Sequence, residues 1–210
     1  MGNTAKSIAG HLLQIKAIKL QPSNPFTWAS GWKSPIYCDN RKTLSFPIVR
    51  QAIKDSFVQM VNEKFPGAEL IAGVATGAIA HGALVAESMD LPFVYVRPGV
   101  KEHGLGNQIE GFYEKDQKVV VIEDLISTGG SSLRAVNALR EAGCNVMGMI
   151  AIFTYGFKKA GDNFSANDCI LFTLSDYNTL IDKAMETGYI TGNDVEMLKE
   201  WRKDPANWRK

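Results

Sequence analysis

The residues with the clearest chemistry are two adjacent acids, Glu123 and Asp124, followed closely by small hydroxyl-bearing residues and glycines. The β-branched run 119–122 precedes the acids and predicts a strand that is buried on both faces. A helical pattern begins after Ser132. A strand, a short loop and a helix N-terminus together form an anion site, because uncapped amides and the helix dipole favour phosphate. Two carboxylates beside such a site indicate a ligand with phosphate and with hydroxyl or metal-bearing groups.

Other phosphate-binding motifs do not fit this stretch. A Walker A loop requires Gly-Lys-Ser/Thr and a dinucleotide fingerprint requires Gly-x-Gly-x-x-Gly after a strand, and neither is present. The structural alternative is a plain strand–helix turn with a solvated Asp124. For a generic Asp-Leu-x-x-Gly-Gly sequence the two interpretations are about equally good. The paired acids and the hydroxyl residues around Gly129 and Gly130 favour the binding site.

A second group of candidate residues lies in a long polar loop at residues 97–108. Arg97, Lys101 and His103 are cationic or titratable, and glycines are interspersed among them. An ordinary solvated loop would have a similar composition. The same composition suits a mobile lid that closes on a polyanion, because cationic side chains bind phosphate and glycines permit the movement.

The N-terminal part contains an unusually aromatic segment, residues 22–40, with three prolines and two tryptophans. It cannot form a regular helix. A hydrophobic flap packed on the domain would account for the tryptophans. Tyr37 also offers a stacking surface for a flat ring, and Lys33 and Arg41 are candidate partners for a carboxylate.

The elements that position these residues alternate between strand and helix. Strands are predicted at 70–74, 93–96, 109–113, 119–122, 146–153 and 169–174. Helices are predicted at 4–19, with Thr4 as N-cap, and at 79–89. A further helix starts at Pro47, another ends at Gly143, and two closing helices are capped by Ser175 and Thr191. This order predicts one α/β domain, residues 1–210, with a mostly parallel sheet, helices on both faces and helical additions at both ends. Three candidate segments, which are residues 75–78, the 97–108 loop and the loop after Glu123, follow strand ends, and these meet at one edge of such a sheet.

Composition limits the classes of partner. The chain has 210 residues, and 23 basic residues balance 22 acidic ones, so no broad surface for nucleic acid or membrane is expected. Three scattered cysteines predict neither a disulfide framework nor a zinc site and favour a reducing compartment. No signal segment is recognised at the N-terminus. A cytoplasmic protein is expected.

Residues 123–131, EDLISTGGS, resemble the phosphoribosyl-pyrophosphate motif of the type I phosphoribosyltransferases. The resemblance implies that fold and assigns Glu123 and Asp124 to the ribose hydroxyls. It assigns the loop that follows to the 5′-phosphate. The residues implied to bind phosphoribosyl pyrophosphate are Arg97, Lys101, His103, Glu123, Asp124, Leu125, Ile126, Ser127, Thr128, Gly129, Gly130 and Ser131.

Two further segments resemble the orotate phosphoribosyltransferases of this family. Residues 97–104, RPGVKEHG, are similar to their catalytic loop, which implies catalytic roles for Arg97, Lys101 and His103 and a homodimer that shares the loop across its interface. Residues 26–41 are similar to the orotate-binding hood, here residues 20–45, which implies Tyr37, Lys33, Arg41 and Ser127 as orotate contacts. Mg²⁺ is implied as cofactor, bound mainly through the substrate, with water-mediated contact to Asp124 as an option and no direct protein ligand.

The chain departs from the family pattern at three places. Ala29 stands where many members have Lys. Residues 73–78, GVATGA, resemble the family's pyrophosphate loop, but residues 76–78 lack the Lys that is common there. Residues 154–156, Thr-Tyr-Gly, lack an Arg that touches the orotate. We therefore expect Arg97 and Lys101 to do more for the pyrophosphate, and Lys33 or Arg41 more for the carboxylate.

The implied activity is transfer of ribose 5-phosphate from phosphoribosyl pyrophosphate to N1 of orotate, a step of pyrimidine biosynthesis. A same-fold transferase for another base and a non-catalytic sensor of phosphoribosyl pyrophosphate are the alternatives.

Overall fold

The computed structural model describes residues 2–28, 31–99 and 108–209. The described helices, in chain order, are α1 (Gly2–Gln14), a 3₁₀ helix (Asn40–Ser45), α2 (Pro47–Lys64), α3 (Ile79–Met89), α4 (Gly130–Glu141), α5 (Lys158–Ala166), α6 (Tyr177–Glu186) and α7 (Gly192–Lys203). The described strands are β1 (Ile18–Leu20), β2 (Phe26–Thr27), β3 (Lys33–Ser34), β4 (Ile36–Cys38), β5 (Leu70–Val74), β6 (Phe93–Val96), β7 (Ile109–Glu110), β8 (Lys118–Ile126), β9 (Asn145–Thr154) and β10 (Leu171–Asp176).

The central sheet has the strand order β10-β9-β8-β5-β6-β7. All neighbouring pairs are parallel except the edge pair β6 and β7. One hydrophobic cluster packs the sheet against α1, α2, α3, α6 and α7, and the other packs it against α4 and α5. The predicted parallel sheet with helices on both faces is therefore confirmed. The C-terminal ends of β5, β6 and β8 lie side by side and lead into the three candidate segments.

Several element boundaries differ from the prediction. The first helix ends at Gln14 because Lys16 adopts a left-handed backbone (φ 55°), and the chain then enters β1, which pairs with β4. Thr4 lies inside this helix and is not its cap. Asp176, not Ser175, caps α6 by accepting from the amides of Asn178 and Thr179. At Thr191 the predicted cap is confirmed as a capping box with Asp194.

Strand β8 is longer than predicted and contains both acids. Its ladder with β9 continues past Glu123, which pairs with Ala151, as far as Ile126. Helix α5 was not predicted, although Ala160 and Phe164 bury one of its faces.

Two short antiparallel pairs, β1–β4 and β2–β3, together with the 3₁₀ helix form the hood, residues 20–45 with β1 as their support. The indole N–H of Trp28 donates to the Ile36 carbonyl (3.1 Å) and ties the two pairs together. In the described part of the chain, no helix has the length and apolar character that crossing a membrane requires.

Candidate active site

The two acids at the end of β8 leave the backbone on alternate sides of the strand, yet both line one cavity and their carboxyl groups are close enough to interact. Glu123 is 5% exposed and faces α4. Its Oε2 accepts from the Ser132 hydroxyl (2.8 Å) and its Oε1 accepts from the Asp124 amide (2.9 Å). Burial raises the pKa of Glu123 well above its usual range, and the charge of Asp124 raises it further. The lone pairs of Glu123 therefore serve partly to fix the local backbone.

Asp124 faces the turn after β5 and the hood. The backbone carbonyl of Asp124 accepts from the side-chain amide of Asn40 (2.6 Å). Asn40 lies in the 3₁₀ helix and is buried. A Cβ at Gly77 would collide with the Asp124 carboxylate, so a residue without a side chain is needed there. The turn contains a cis peptide between Ala75 and Thr76.

Helix α5 packs against the loop between β8 and α4 and fixes its conformation. Gly129 has φ 80°, and a Cβ there would meet the Phe164 ring at 2.6 Å, so both the backbone and the packing require glycine. The side-chain amide of Asn163 donates to the backbone carbonyl of Thr128 (2.8 Å). Helix α4 begins at Gly130 without a side-chain cap. Its first amides are thus free to bind an anion.

A cavity of about 330 Å³ lies where these segments meet. It is lined by Val74, Ala75, Thr76, Gly77, Glu123, Asp124, Leu125, Ser127, Thr128, Gly129, Ser131 and Ser132. The structure thus brings most of the predicted phosphate- and ribose-binding residues to one space. Ile126 differs, because its side chain is fully buried in the core.

Of the predicted catalytic loop, the structure describes the two ends. The Arg97 amide donates to the Gln108 carbonyl (2.9 Å), and the Gln108 side chain donates to the Arg97 carbonyl (2.8 Å). The guanidinium of Arg97 lies 3.6 Å from the Glu110 carboxylate. Lys101 and His103 lie outside the described residues.

The predicted orotate contacts of the hood do not line the 330 Å³ cavity. Lys33 donates to the Thr27 hydroxyl (2.9 Å), and Arg41 pairs with Asp39 (2.7 Å). Tyr37 is 42% exposed and packs at 5.6 Å from Phe26. Both cations are therefore bound to hood residues in this structure, and neither lines the described phosphate and ribose cavity.

Three supporting residues were missed by sequence reasoning: Asn40, Ser132 and Asn163. Each fixes a backbone or carboxylate group of the site through a hydrogen bond, from nine residues away for Ser132 and from a distant part of the chain for the two asparagines. Ser132 had one local signal, because it continues the run of hydroxyl residues. Nothing local marks the other two.

Comparison with known proteins identifies the class to which this fold and site belong. Residues 42–181, two thirds of the chain, match the model of a family described as "Phosphoribosyl transferase domain". The chain therefore belongs to the phosphoribosyltransferases, and its architecture is their type I fold.

The curated relatives narrow the family. A relative from Porphyromonas gingivalis named orotate phosphoribosyltransferase is 58% identical over 99% of both chains. Another of that name, from Phocaeicola vulgatus, is 60% identical over 99% of this chain and 98% of its own. The crystal structure of orotate phosphoribosyltransferase from Aeropyrum pernix matches with a TM-score of 0.76 at 26% identity, covering 88% of this chain and 99% of that one. Within its family, the chain belongs with the orotate phosphoribosyltransferases.

Proposed function

We propose that the protein transfers ribose 5-phosphate from phosphoribosyl pyrophosphate to N1 of orotate, giving orotidine 5′-monophosphate and pyrophosphate in pyrimidine biosynthesis. The observation that supports this most strongly is the cavity that is lined both by the Asp124 carboxylate and by the uncapped start of α4. Acceptors for sugar hydroxyls and donors for a phosphate are present within one space. A single ligand that has both groups suits it.

Each part of the cavity has a distinct task in this proposal. The hydroxyls of Ser127, Thr128 and Ser131 and the amides from Gly129 onward bind the 5′-phosphate. Asp124 accepts from the ribose hydroxyls. Glu123 contributes mainly by holding the Asp124 amide and Ser132 in place, because both of its oxygens already accept hydrogen bonds. The turn 75–78 presents backbone to the pyrophosphate, since Gly77 allows close approach.

Catalysis then rests on positioning and on charge stabilisation. The pyrophosphate leaves with growing negative charge while the anomeric carbon becomes oxocarbenium-like and is inverted. We assign Lys101, Arg97 and His103 to that leaving charge. Arg97 stands at the end of β6, beside the turn that is proposed to contact the pyrophosphate, and the Ala75 amide donates to the Val96 carbonyl (2.9 Å). Closure of the loop over the site would also exclude water from the activated sugar.

The chemistry of the donors fits Mg²⁺ bound mainly through the substrate. Among the described residues no group of three or more potential metal-binding side chains occurs. The Asp124 carboxylate lines the cavity, and hard carboxylate oxygens suit Mg²⁺ directly or through water. When bound, the ion would neutralise part of the pyrophosphate charge.

We further propose a homodimer that shares the catalytic loop between subunits, and a cytoplasmic location. The dimer follows from the resemblance of residues 97–104 to the family's loop. The buried free thiols of Cys144 and Cys169 suit a reducing compartment.

An absorbance assay tests the reaction. The protein is incubated with phosphoribosyl pyrophosphate, Mg²⁺ and orotate, and parallel reactions contain uracil, hypoxanthine or adenine. We expect turnover with orotate and little with the other bases. Preference for a purine or for uracil would contradict the proposal and favour the same-fold alternative, whereas binding of phosphoribosyl pyrophosphate without any turnover would indicate a sensor.

A further inference from the structure

The end of β9 places a tyrosine where the sequence lacks the arginine expected to touch orotate. Tyr155 follows the last residue of β9 and is 3% exposed. Its amide donates to the Ile126 carbonyl (3.1 Å), which fixes it beside Ser127 at the start of the phosphate-binding loop. Thr154 adds a second tie, because its hydroxyl donates to the same carbonyl (3.3 Å).

The ring of Tyr155 is held on several sides by other aromatic rings. It stacks on Phe157 with centroids 5.4 Å apart and an interplanar angle of 21°, and it lies 5.3 Å from the Trp28 ring of the hood. Phe153 and Trp201 meet it edge-on at 5.8 and 5.9 Å. Rings packed in this way have little rotational freedom, so the position of the phenol oxygen is determined in advance.

The hydroxyl of this tyrosine has no hydrogen-bond partner among residues 2–28, 31–99 and 108–209. Buried hydroxyls are nearly always hydrogen-bonded, so this hydroxyl is available to donate to a ligand. Within the same ranges, the side-chain atoms that are buried from solvent and lack a hydrogen-bond partner are His81 Nδ1, Arg97 Nη1 and Trp201 Nε1. The Tyr155 oxygen is not one of them and therefore retains some accessible surface.

The groups whose charges act on the phenol belong to the hood, to β8 and to α6. Burial raises the pKa of Tyr155 well above its usual range, and the side chains of Cys38, Tyr37, Asp124 and Tyr177 raise it further. Cys38 and Tyr37 lie in β4, and Asp124 lies near the end of β8. The phenol thus stays protonated. Because Tyr155 packs on Trp28 of the hood and its amide binds Ile126 at the start of the phosphate-binding loop, the residue lies between the hood and the proposed ribose site.

We propose that Tyr155 is a base-recognition residue, whose hydroxyl donates a hydrogen bond to an acceptor oxygen of the anionic pyrimidine, either a ring carbonyl or the carboxylate. This inference rests on the proposed function and adds a residue to it. It accounts for the absence of a cation at residues 154–156, because a neutral donor at this buried position avoids the desolvation penalty of a charge. It also explains why Trp28 of the hood packs on Tyr155, because this contact helps to hold the Tyr155 hydroxyl in position.

The test compares Tyr155→Phe with Tyr177→Phe. Tyr177 is a matched control, because it is buried in the same aromatic cluster and donates its hydroxyl to the Leu198 carbonyl (2.9 Å), a structural bond. For Tyr155→Phe we expect the KM for orotate to rise about tenfold or more, the range for losing a hydrogen bond to a charged ligand, while the KM for phosphoribosyl pyrophosphate changes less than about twofold. Tyr177→Phe should lower Tm and leave the orotate KM unchanged.

The outcomes separate this inference from the proposed function. An unchanged orotate KM in Tyr155→Phe, with wild-type protein active on orotate, would overturn the role of Tyr155 only. A lower Tm in Tyr155→Phe with an unchanged orotate KM would assign it a structural role and overturn the inference equally. Wild-type protein that turns over another base but not orotate would overturn both.

Discussion

At the scale of residues, the site separates two neighbouring acids that have the same chemistry in isolation. Glu123 faces α4, and its oxygens accept from Ser132 and from the backbone. Asp124 faces the cavity and the hood. The difference arises from the alternation of side chains along β8, and it makes Asp124 the acid with lone pairs available for a substrate.

Replacing Asp124 by Asn tests this assignment. Asn keeps the size but replaces an acceptor-only group by one that is half donor, so we expect binding of phosphoribosyl pyrophosphate to weaken about tenfold or more. Isothermal titration calorimetry measures the affinity. Asp55→Asn on the exposed face of α2 removes the same charge from a residue that does not line the cavity, and it should leave the affinity unchanged. Equal affinities of Asp124→Asn and wild type would show that the ribose assignment is wrong.

Substitution of Gly77 tests the close approach between the turn and Asp124. An added Cβ would overlap the Asp124 carboxylate and displace it. We expect Gly77→Ala to lower kcat/KM for phosphoribosyl pyrophosphate at least about tenfold, because small displacements of binding groups are costly. Steady-state kinetics with Gly161→Ala as control provides the comparison, since a Cβ at Gly161 meets nothing within 4 Å. Similar losses in both variants would contradict the geometric explanation.

At the scale of elements, a buried polar chain connects the hood to the sheet. Asn40 in the 3₁₀ helix donates to Asp124 of β8, and its own carbonyl accepts from the Thr43 hydroxyl (2.5 Å). The Thr43 oxygen lies 3.0 Å from Nε2 of His81 in α3. Since the Thr43 proton is used for Asn40, neutral His81 donates to Thr43 from Nε2. Three elements are thus fixed around the proposed ribose site.

His81, the last member of this hydrogen-bonded chain, makes the free energy of unfolding depend on pH. Burial lowers the pKa of His81 to about 4, and the charge of Arg50 contributes in the same direction. The unfolded state binds a proton below about pH 6.5, but the native state does so only near pH 4. Stability should therefore fall as pH decreases through this window, by up to about 3 kcal/mol from this group. Urea denaturation of wild type and His81→Gln at pH 7 and pH 4.5 measures the effect.

Carboxylates also titrate in this pH range, but they affect wild type and His81→Gln equally. The difference between the two proteins therefore measures the contribution of His81. His81→Gln should lose less stability than wild type on acidification. Parallel losses in both proteins would show that His81 does not stay neutral in the native state over this range.

At the scale of the whole molecule, the ends of the chain complete the region around the site. The matched family domain covers residues 42–181, yet Trp28 of the hood packs edge-on at 5.8 Å against Trp201 of α7. Arg202 of the same helix donates to the Gly156 carbonyl (3.0 Å), immediately after Tyr155. Segments that are distant in sequence therefore meet beneath the proposed base position. We infer that α7 stabilises the hood.

The proposed sharing of the loop between subunits can be tested by complementation. Lys101→Ala should lower kcat by about 10²-fold or more, the range for losing a group that stabilises growing charge. Asp124→Asn impairs a different part of the site. If each site combines one subunit's cavity with its partner's loop, mixed dimers contain one intact site, and an equilibrated mixture regains about a quarter of wild-type activity. Mixing is done after dissociation and reassociation, with each variant alone treated in the same way.

No recovery in the mixture, with dimers demonstrated by sedimentation, would place the loop and cavity in the same subunit. A kcat of Lys101→Ala equal to that of wild type would remove this residue from catalysis altogether.

The local sequence determined much of the site. The β-branched run before Glu123 specifies a strand buried on both faces, and the hydroxyl and glycine residues after it specify an anion-binding turn, because both depend on neighbours in the chain. Strand alternation with helices was sufficient for the parallel sheet. The sequence also marked Ala29 and residues 154–156 as departures from the family.

Tertiary structure decided which of these residues face one another. Only the β8–β9 ladder shows that the acids lie within a strand, and only packing gives them different partners and brings Asn40, Asn163 and Tyr155 to the site. The physical reason is that these contacts join residues far apart in the chain, and their energy depends on geometry that local preferences do not specify. The sequence thus determined the binding chemistry of the 123–131 segment, and the fold determined how its two acids divide their tasks.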